Sequence, residues 1–141
     1  MNFVLDASVA LLWLVPETNQ SGVDYASTAL KALKESQALV PSLFALEAAN
    51  VVAKVESKGV VTEADSQRFI ALLGRLNIVT DQATAAHASG DTLNLSRRYK
   101  LSAYDAAYLE LALRTGLALA TLDADLAKAA TTADVAIFGT H

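Results

Sequence analysis

The chain has 141 residues, 53% of them hydrophobic and 18% charged, with a formal net charge of −4. That length suits one domain, residues 1–141, with enough core to fold unaided; the apolar content excludes disorder, and the absence of cysteine excludes a disulfide scaffold. The lack of cysteine fits a cytoplasmic protein, and a membrane span or export signal is not expected, because the apolar run Val9–Val15 is short, closed by Pro16 and preceded by no basic residue.

Phe3-Val4-Leu5 reads as a buried strand ending at Asp6. Val9 to Val15 follows as a short helix stopped by Pro16. Gly22 to Ser36 places Val23, Ala26, Ala29, Leu30 and Leu33 on one helical face. Ala38-Leu39-Val40 is a second strand, ended by Pro41. Ser42 is positioned to cap a helix running to about Ser57, before Gly59. Thr62 and Asp65 form a capping-box-like pair opening a helix to about Gly74. Asn77 to Thr80 is a third strand. Residues 82–99 read as a weaker helix interrupted by Gly90. Ser102 and Asp105 form another cap-like pair, and their helix stops at Gly116. Leu117 to Leu122 is a fourth strand, Asp123 to Ala130 a short helix, and Val135 to Phe138 a fifth strand.

Strands thus alternate with single helices or helix pairs, and the strands are continuous apolar runs. Both features predict an α/β fold, a parallel sheet of about five strands covered on both faces. The 28 alanines fit helices packed closely on that sheet. In such folds functional groups gather beyond the C-terminal ends of the strands.

Two acids fall there by register: Asp6 directly after the first strand and Asp123 directly after the fourth. Asp105 sits in the first turn of the helix leading into the fourth strand, where an acid also suits the helix dipole. Glu47 lies among Leu43, Leu46, Val51 and Val52, with no Lys or Arg three or four residues away. A glutamate on an apolar face needs a partner, or else snorkels at the edge of the stripe. Asp6, Asp123 and Asp125 have the plain alternative of capping the helices that follow them.

The set carries more weight than its members. Two unit charges about 4 Å apart repel by about 4 kcal/mol at an effective dielectric of roughly 20. Converging carboxylates must take up protons or bind a cation. All-oxygen donors, with only His87 and His141 as imidazoles, favour Mg²⁺ or Mn²⁺ over zinc. Metal-assisted phosphodiester hydrolysis is the reaction class this chemistry suits. Without Asp6, Glu47, Asp105, Asp123 and Asp125 the net charge would be +1. The dense basic stretch Arg97-Arg98-Tyr99-Lys100 is either a phosphate-backbone contact or a solvated helix end. His87, in an alanine-rich helix, reads as exposed rather than catalytic, and the terminal His141 as unstructured.

Four segments together resemble the PIN-domain family, and within it the toxin nucleases of VapBC toxin–antitoxin pairs. They are Val4-Leu5-Asp6-Ala7-Ser8-Val9, Leu46-Glu47-Ala48-Ala49-Asn50, Ala103 to Ala112 around Asp105, and Ala120-Thr121-Leu122-Asp123. The resemblance spans nearly the whole chain. It implies a three-layer α/β/α sandwich and a Mg²⁺- or Mn²⁺-dependent endoribonuclease. It implies an acidic site of Asp6, Glu47, Asp105 and Asp123, with Asp6, Asp105 and Asp123 holding the metal. Ser8 and Thr121 match supporting hydroxyls and Asn50 a frequent amide; Asp125 is the alternative to Asp123, which is favoured because it directly ends the strand, or else a fifth, auxiliary acid. The implied partners are an RNA substrate, a small antitoxin inserting into the acidic groove, and a second copy in a homodimer. The stretch Leu11 to Val15 belongs to that groove or dimer contact, with Trp13 alternatively in the core.

Two other readings compete. A binding-only PIN fold would keep the acids without using them. A receiver-like signalling domain also places acids at strand ends, but needs an adjacent acidic pair after the first strand and a lysine after the fifth. This chain has Asp6-Ala7-Ser8 and Gly139-Thr140-His141 there.

Overall fold

Four three-residue strands build the sheet: β1 (Phe3–Leu5), β2 (Ala38–Val40), β3 (Ile78–Thr80) and β4 (Ala118–Ala120), all apolar except Thr80. The computed structural model describes residues 1–15 and 19–139, so Pro16 and His141, given roles above, lie outside the described residues. All pairings are parallel, in the order β3-β2-β1-β4. Phe3 faces Ala38 on one side and Ala118 on the other. β1 is fully buried, which is why it carries no polar residue. β3 is an edge strand, and Val79 there is exposed.

The order fixes where a site can form. From β1 the chain steps outward to β2 and β3, then returns to set β4 against the free side of β1. The connections therefore diverge at the C-terminal ends of β1 and β4, leaving a crevice at this switch point. Asp6 and Thr121 are the first residues beyond those ends, and the Asp6 N–H still bonds the Ala120 carbonyl at 2.9 Å.

Helices flank the sheet, giving the α/β sandwich expected: α1 (Ala7–Ala10), α2 (Gln20–Ala32), α3 (Phe44–Ser57), α4 (Glu63–Arg75), α5 (Thr84–His87), α6 (Leu93–Tyr99), α7 (Ala103–Thr115) and α8 (Ala124–Thr132). α1 passes into a 3₁₀ turn, Leu11–Trp13, where the sequence predicts a single helix to Val15. Trp13 is half-buried and packs on the core, its Nε1–H donating to the Ala26 carbonyl at 2.9 Å. α7 packs on β1 and β4 and is buried from Ala106 to Ala112, so it shows no polar face over that stretch. Tyr108, Leu109 and Leu111 lie at the centre of the core with Phe3, Leu5, Leu119 and Leu126.

The helix boundaries follow their caps. Thr62 and Asp65 close a complete capping box on α4. Ser102 accepts the Asp105 N–H at 3.0 Å, and Gly116 ends α7 at φ +70°, a conformation glycine adopts without steric cost. Ser42 does not cap α3. Leu43 holds the N-cap position, and the Ser42 N–H instead donates to the Thr84 hydroxyl, tying the β2–α3 turn to the start of α5. The weak helix over 82–99 divides into α5, a π turn at Ala88–Thr92 containing Gly90, and α6.

The fifth strand is reduced to one parallel bridge, Leu119 to Ile137. Leu119 bonds Ala136 and Phe138 on that side. The ladder goes no further because Phe138 is committed elsewhere: its ring lies 4.4 Å from that of Phe3, and its carbonyl accepts the Tyr25 hydroxyl at 2.8 Å.

Candidate functional site

Asp6 is the pivot of the crevice. It occupies the N-cap position of α1, yet its side chain makes no capping bond, so the plain explanation for an acid there does not hold. Instead Oδ2 accepts two hydroxyls, Ser8 at 2.6 Å and Thr121 at 2.8 Å. Each hydroxyl in turn accepts a backbone N–H, Ser8 from Leu122 and Thr121 from Asp123, both at 3.0 Å. The ends of β1 and β4 are thereby locked in register through side chains. Burial pushes the Asp6 carboxyl up; the two hydroxyls pull it back, and the charge of Asp123 pushes it further up.

Asp123 caps α8, its Oδ1 accepting the Leu126 N–H at 3.0 Å. Here the capping reading and a place in the cluster hold together, since Asp123 raises both Asp6 and Asp105 electrostatically. Asp105 lies in the first turn of α7. Burial and the charges of Asp123 and Asp6 push its carboxyl up to about 6, with a smaller push from Asp125.

Glu47 faces the same cluster from α3. Its missing cationic partner proves to be a phenol: the Tyr108 hydroxyl donates to Oε1 at 2.5 Å. Burial raises the Glu47 carboxyl, this bond lowers it, and the charges of Asp6 and Asp105 raise it again. Burial and the same pairing hold the Tyr108 phenol far above its usual range. The sequence reading missed Tyr108 as a site residue. Its signal was available, because Tyr108 lies one turn beyond Asp105 on α7 and therefore shares its face.

The remaining site candidates fall around this cluster. Asn50 is exposed one turn beyond Glu47, and Asp125 is exposed in the first turn of α8. The basic stretch divides. Arg98 lines a cavity of about 310 Å³ with Asp91, Asn94, Glu110 and Arg114. Lys100 lines a separate one with Asp125 and Lys128. Arg97 is exposed at the end of α6. His87 is half-buried rather than exposed, with Nδ1 3.7 Å from Asp91 and 4.0 Å from Glu110. It belongs to a structural network in which Arg114 bridges buried Glu110 and Asp81, both at 2.7 Å.

As donors these groups suit a hard cation: carboxylates and hydroxyls only, with mutual repulsion that positive charge would relieve. Among the described residues, however, no three His, Cys, Asp or Glu side chains stand close enough to form a ready-made metal cage. Mg²⁺ keeps several waters and needs few direct protein ligands, so the donor set fits it without such a cage.

Comparison with known proteins places the chain. The PIN domain family matches residues 3–131, and the chain belongs to that family. It is 30% identical over 128 residues to ribonuclease VapC3 of Pyrobaculum aerophilum, covering 91% of this chain and 94% of that one. Its fold is similar to that of PAE2754 from Pyrobaculum aerophilum, with a TM-score of 0.65 at 20% identity over 92% of this chain and 84% of that one. It is also similar to FitAcB from Neisseria gonorrhoeae, with a TM-score of 0.62 at 20% identity over 99% and 97% of the two chains. A toxin–antitoxin complex from Klebsiella pneumoniae matches at a TM-score of 0.56 and 23% identity, over 86% of each chain. Family membership leaves no place for the receiver-like reading. Among the described residues no helix is long and apolar enough to cross a membrane.

Proposed function

We propose that the chain is a Mg²⁺- or Mn²⁺-dependent endoribonuclease and the toxin of a toxin–antitoxin pair. The observation that carries this reading is the convergence of Asp6, Glu47, Asp105 and Asp123, from four separate segments, on the switch-point crevice. The relative named as a ribonuclease and the toxin–antitoxin complex of similar fold support it.

Hydrolysis joins a water oxygen to phosphorus, breaks a P–O ester bond and delivers a proton to the departing oxygen. Asp6, Asp105 and Asp123 would hold the cation, directly or through water. When bound, it supplies Lewis acidity, lowering the pKa of a water and offsetting charge that builds on the phosphate. Ser8 and Thr121 fix the Asp6 carboxylate by both donating to one oxygen. Glu47, oriented by Tyr108, completes the acidic cluster, as a ligand or by orienting the attacking water. A small antitoxin presenting Arg or Lys to the acids would block the site by charge-assisted pairing. Homodimerisation and a cytoplasmic location complete the reading, and sizing of the purified chain tests the former.

The test is purified chain, stripped of bound partner, incubated with total RNA in Mg²⁺, Mn²⁺ or excess chelator. Fragments should form only with metal. Asp6→Asn should form none while staying folded, because the amide oxygen still accepts both hydroxyls. Wild-type-like cleavage by Asp6→Asn sinks the site assignment. A binding-only role is the second reading. Metal binding without cleavage would move the weight to that role or to a highly selective toxin.

A further inference from the structure

Beside the acid cluster, the end of α6 and the outer face of α8 enclose a groove of about 280 Å³, lined by Tyr99, Lys100, Asp125, Lys128 and Thr132. On α8, Asp125, Lys128 and Thr132 are spaced i, i+3 and i+7, one stripe running away from the acids for roughly 10 Å at 1.5 Å per residue. Asp125 marks the inner end, near enough to Asp105 to act on its charge. The two ammonium groups come from different elements, and neither pairs with a carboxylate within 4.0 Å among the described residues. Lys100 also holds a left-handed backbone, φ 56° and ψ 43°, as the C-cap of α6. Glycine fits that position without strain, so the fold alone does not call for lysine there.

We propose that this groove is a subsite for single-stranded RNA: Lys100 and Lys128 hold a phosphate flanking the one at the acids, and Tyr99 forms an aromatic wall for its nucleotide. The inference rests on the ribonuclease reading. The groove is nucleotide-sized. Aromatic stacking beside a phosphate clamp is the chemistry that retains single strands without reading sequence. The Thr132 hydroxyl hydrogen is spent on the Lys128 carbonyl, at 3.0 Å, leaving its oxygen to accept from a ribose hydroxyl.

The test uses the full chain carrying Asp6→Asn, so that RNA is bound and not cut. Fluorescence anisotropy with a labelled single-stranded oligoribonucleotide is read across a salt series. Lys100→Gly and Lys128→Gln should each weaken binding roughly three- to tenfold and flatten the log–log salt slope by about 0.7. Lys100→Gly should lose no thermal stability, and Lys128→Arg should keep the parent slope. Lys34→Gln, in the connection entering β2 from the opposite edge of the sheet, should change nothing. Parent-like affinity and slope in both groove variants would overturn the subsite. If the wild-type chain still cleaves RNA in that case, the ribonuclease reading stands. Equal loss on duplex RNA would overturn the single-strand assignment. If the Asp6→Asn chain binds no RNA and the wild type cuts none, both readings fall.

Discussion

Replacing Asp105 with asparagine should stabilise the metal-free protein at neutral pH. The Asp105 carboxyl is raised from 3.8 to about 6 by burial and by the charges of Asp123 and Asp6. Between about pH 4 and pH 6 the native chain therefore keeps a proton that the unfolded chain has released. The unfolded state binds fewer protons there, so stability falls as pH rises through this window and stays low above it. At 1.36 kcal/mol per pH unit the full difference is about 3 kcal/mol. Asp105 is only partly buried, and solvent screening brings this down to about 1–2 kcal/mol.

The amide introduced by Asp105→Asn carries no charge to repel. Urea unfolding in chelator from pH 4 to pH 8 should show Asp105→Asn more stable than wild type by about 1–2 kcal/mol at pH 7. The two curves should converge near pH 4, where Asp105 is protonated. Asp6 and Glu47 titrate in the same direction, so the variant's profile flattens without becoming level. Saturating Mg²⁺ should narrow the neutral-pH gap, because a cation held by the native state stabilises wild type by mass action. A gap of the same size at pH 4 and pH 7, or none at pH 7, would refute the electrostatic origin.

The other predictions concern the side chains that hold the site. Tyr108→Phe removes the donor to Glu47 and should cost about 1–3 kcal/mol in denaturant unfolding. The cost should be larger at pH 7 than at pH 4, because that bond favours the ionised carboxylate. Thr121→Val takes one hydroxyl from Asp6 and the acceptor from the Asp123 N–H. A loss of about 1.5–3 kcal/mol is expected; a change within experimental error would mean that the hydroxyl bridge does not stabilise the crevice. Arg114→Met leaves Glu110 buried without its partner and should cost about 3–5 kcal/mol, read as a lower Tm. Adding Glu110→Leu should restore only part of that loss, since the buried Glu110 charge is then gone but Asp81 still lacks its Arg114 partner.

Much of this fold could be read from apolar runs and caps. Phe3-Val4-Leu5 and Ala38-Leu39-Val40 are strands by run length alone, and Thr62 with Asp65 opens a helix by local hydrogen bonding. Where the reading failed, a distant contact outweighed the local pattern. Ser42 has the residue type of a cap, but Thr84 takes its N–H. Val135 to Phe138 has strand composition, but Phe3 and Tyr25 claim Phe138. Asp6 and Asp123 were legible because parallel strands send their C-terminal ends to one edge. The Tyr108 bond to Glu47 spans 61 positions and depends on how α3 meets α7, which periodicity does not encode. The Arg114–Glu110 pair, although i, i+4, was not read from the sequence, nor was its reach to Asp81.

The strain of the crevice resides in its charges. Asp6, at φ −80° and ψ 144°, and Asp123, at φ −81° and ψ 117°, both have ordinary extended backbones. What is costly is ionised carboxyls held together with low exposure. The molecule meets that cost with neutral donors: Ser8 and Thr121 for Asp6, and Tyr108 for Glu47. Neutral donors orient a carboxylate while leaving its charge uncancelled, whereas an arginine in their place would satisfy the charge internally, as Arg114 does for Glu110. The chain thus contains both solutions within about one and a half turns on α7. Glu110 has an internal cation and is finished as structure; among the described residues Asp6, Glu47 and Asp105 pair with no cation. That difference in partners separates the structural acids from the proposed catalytic ones.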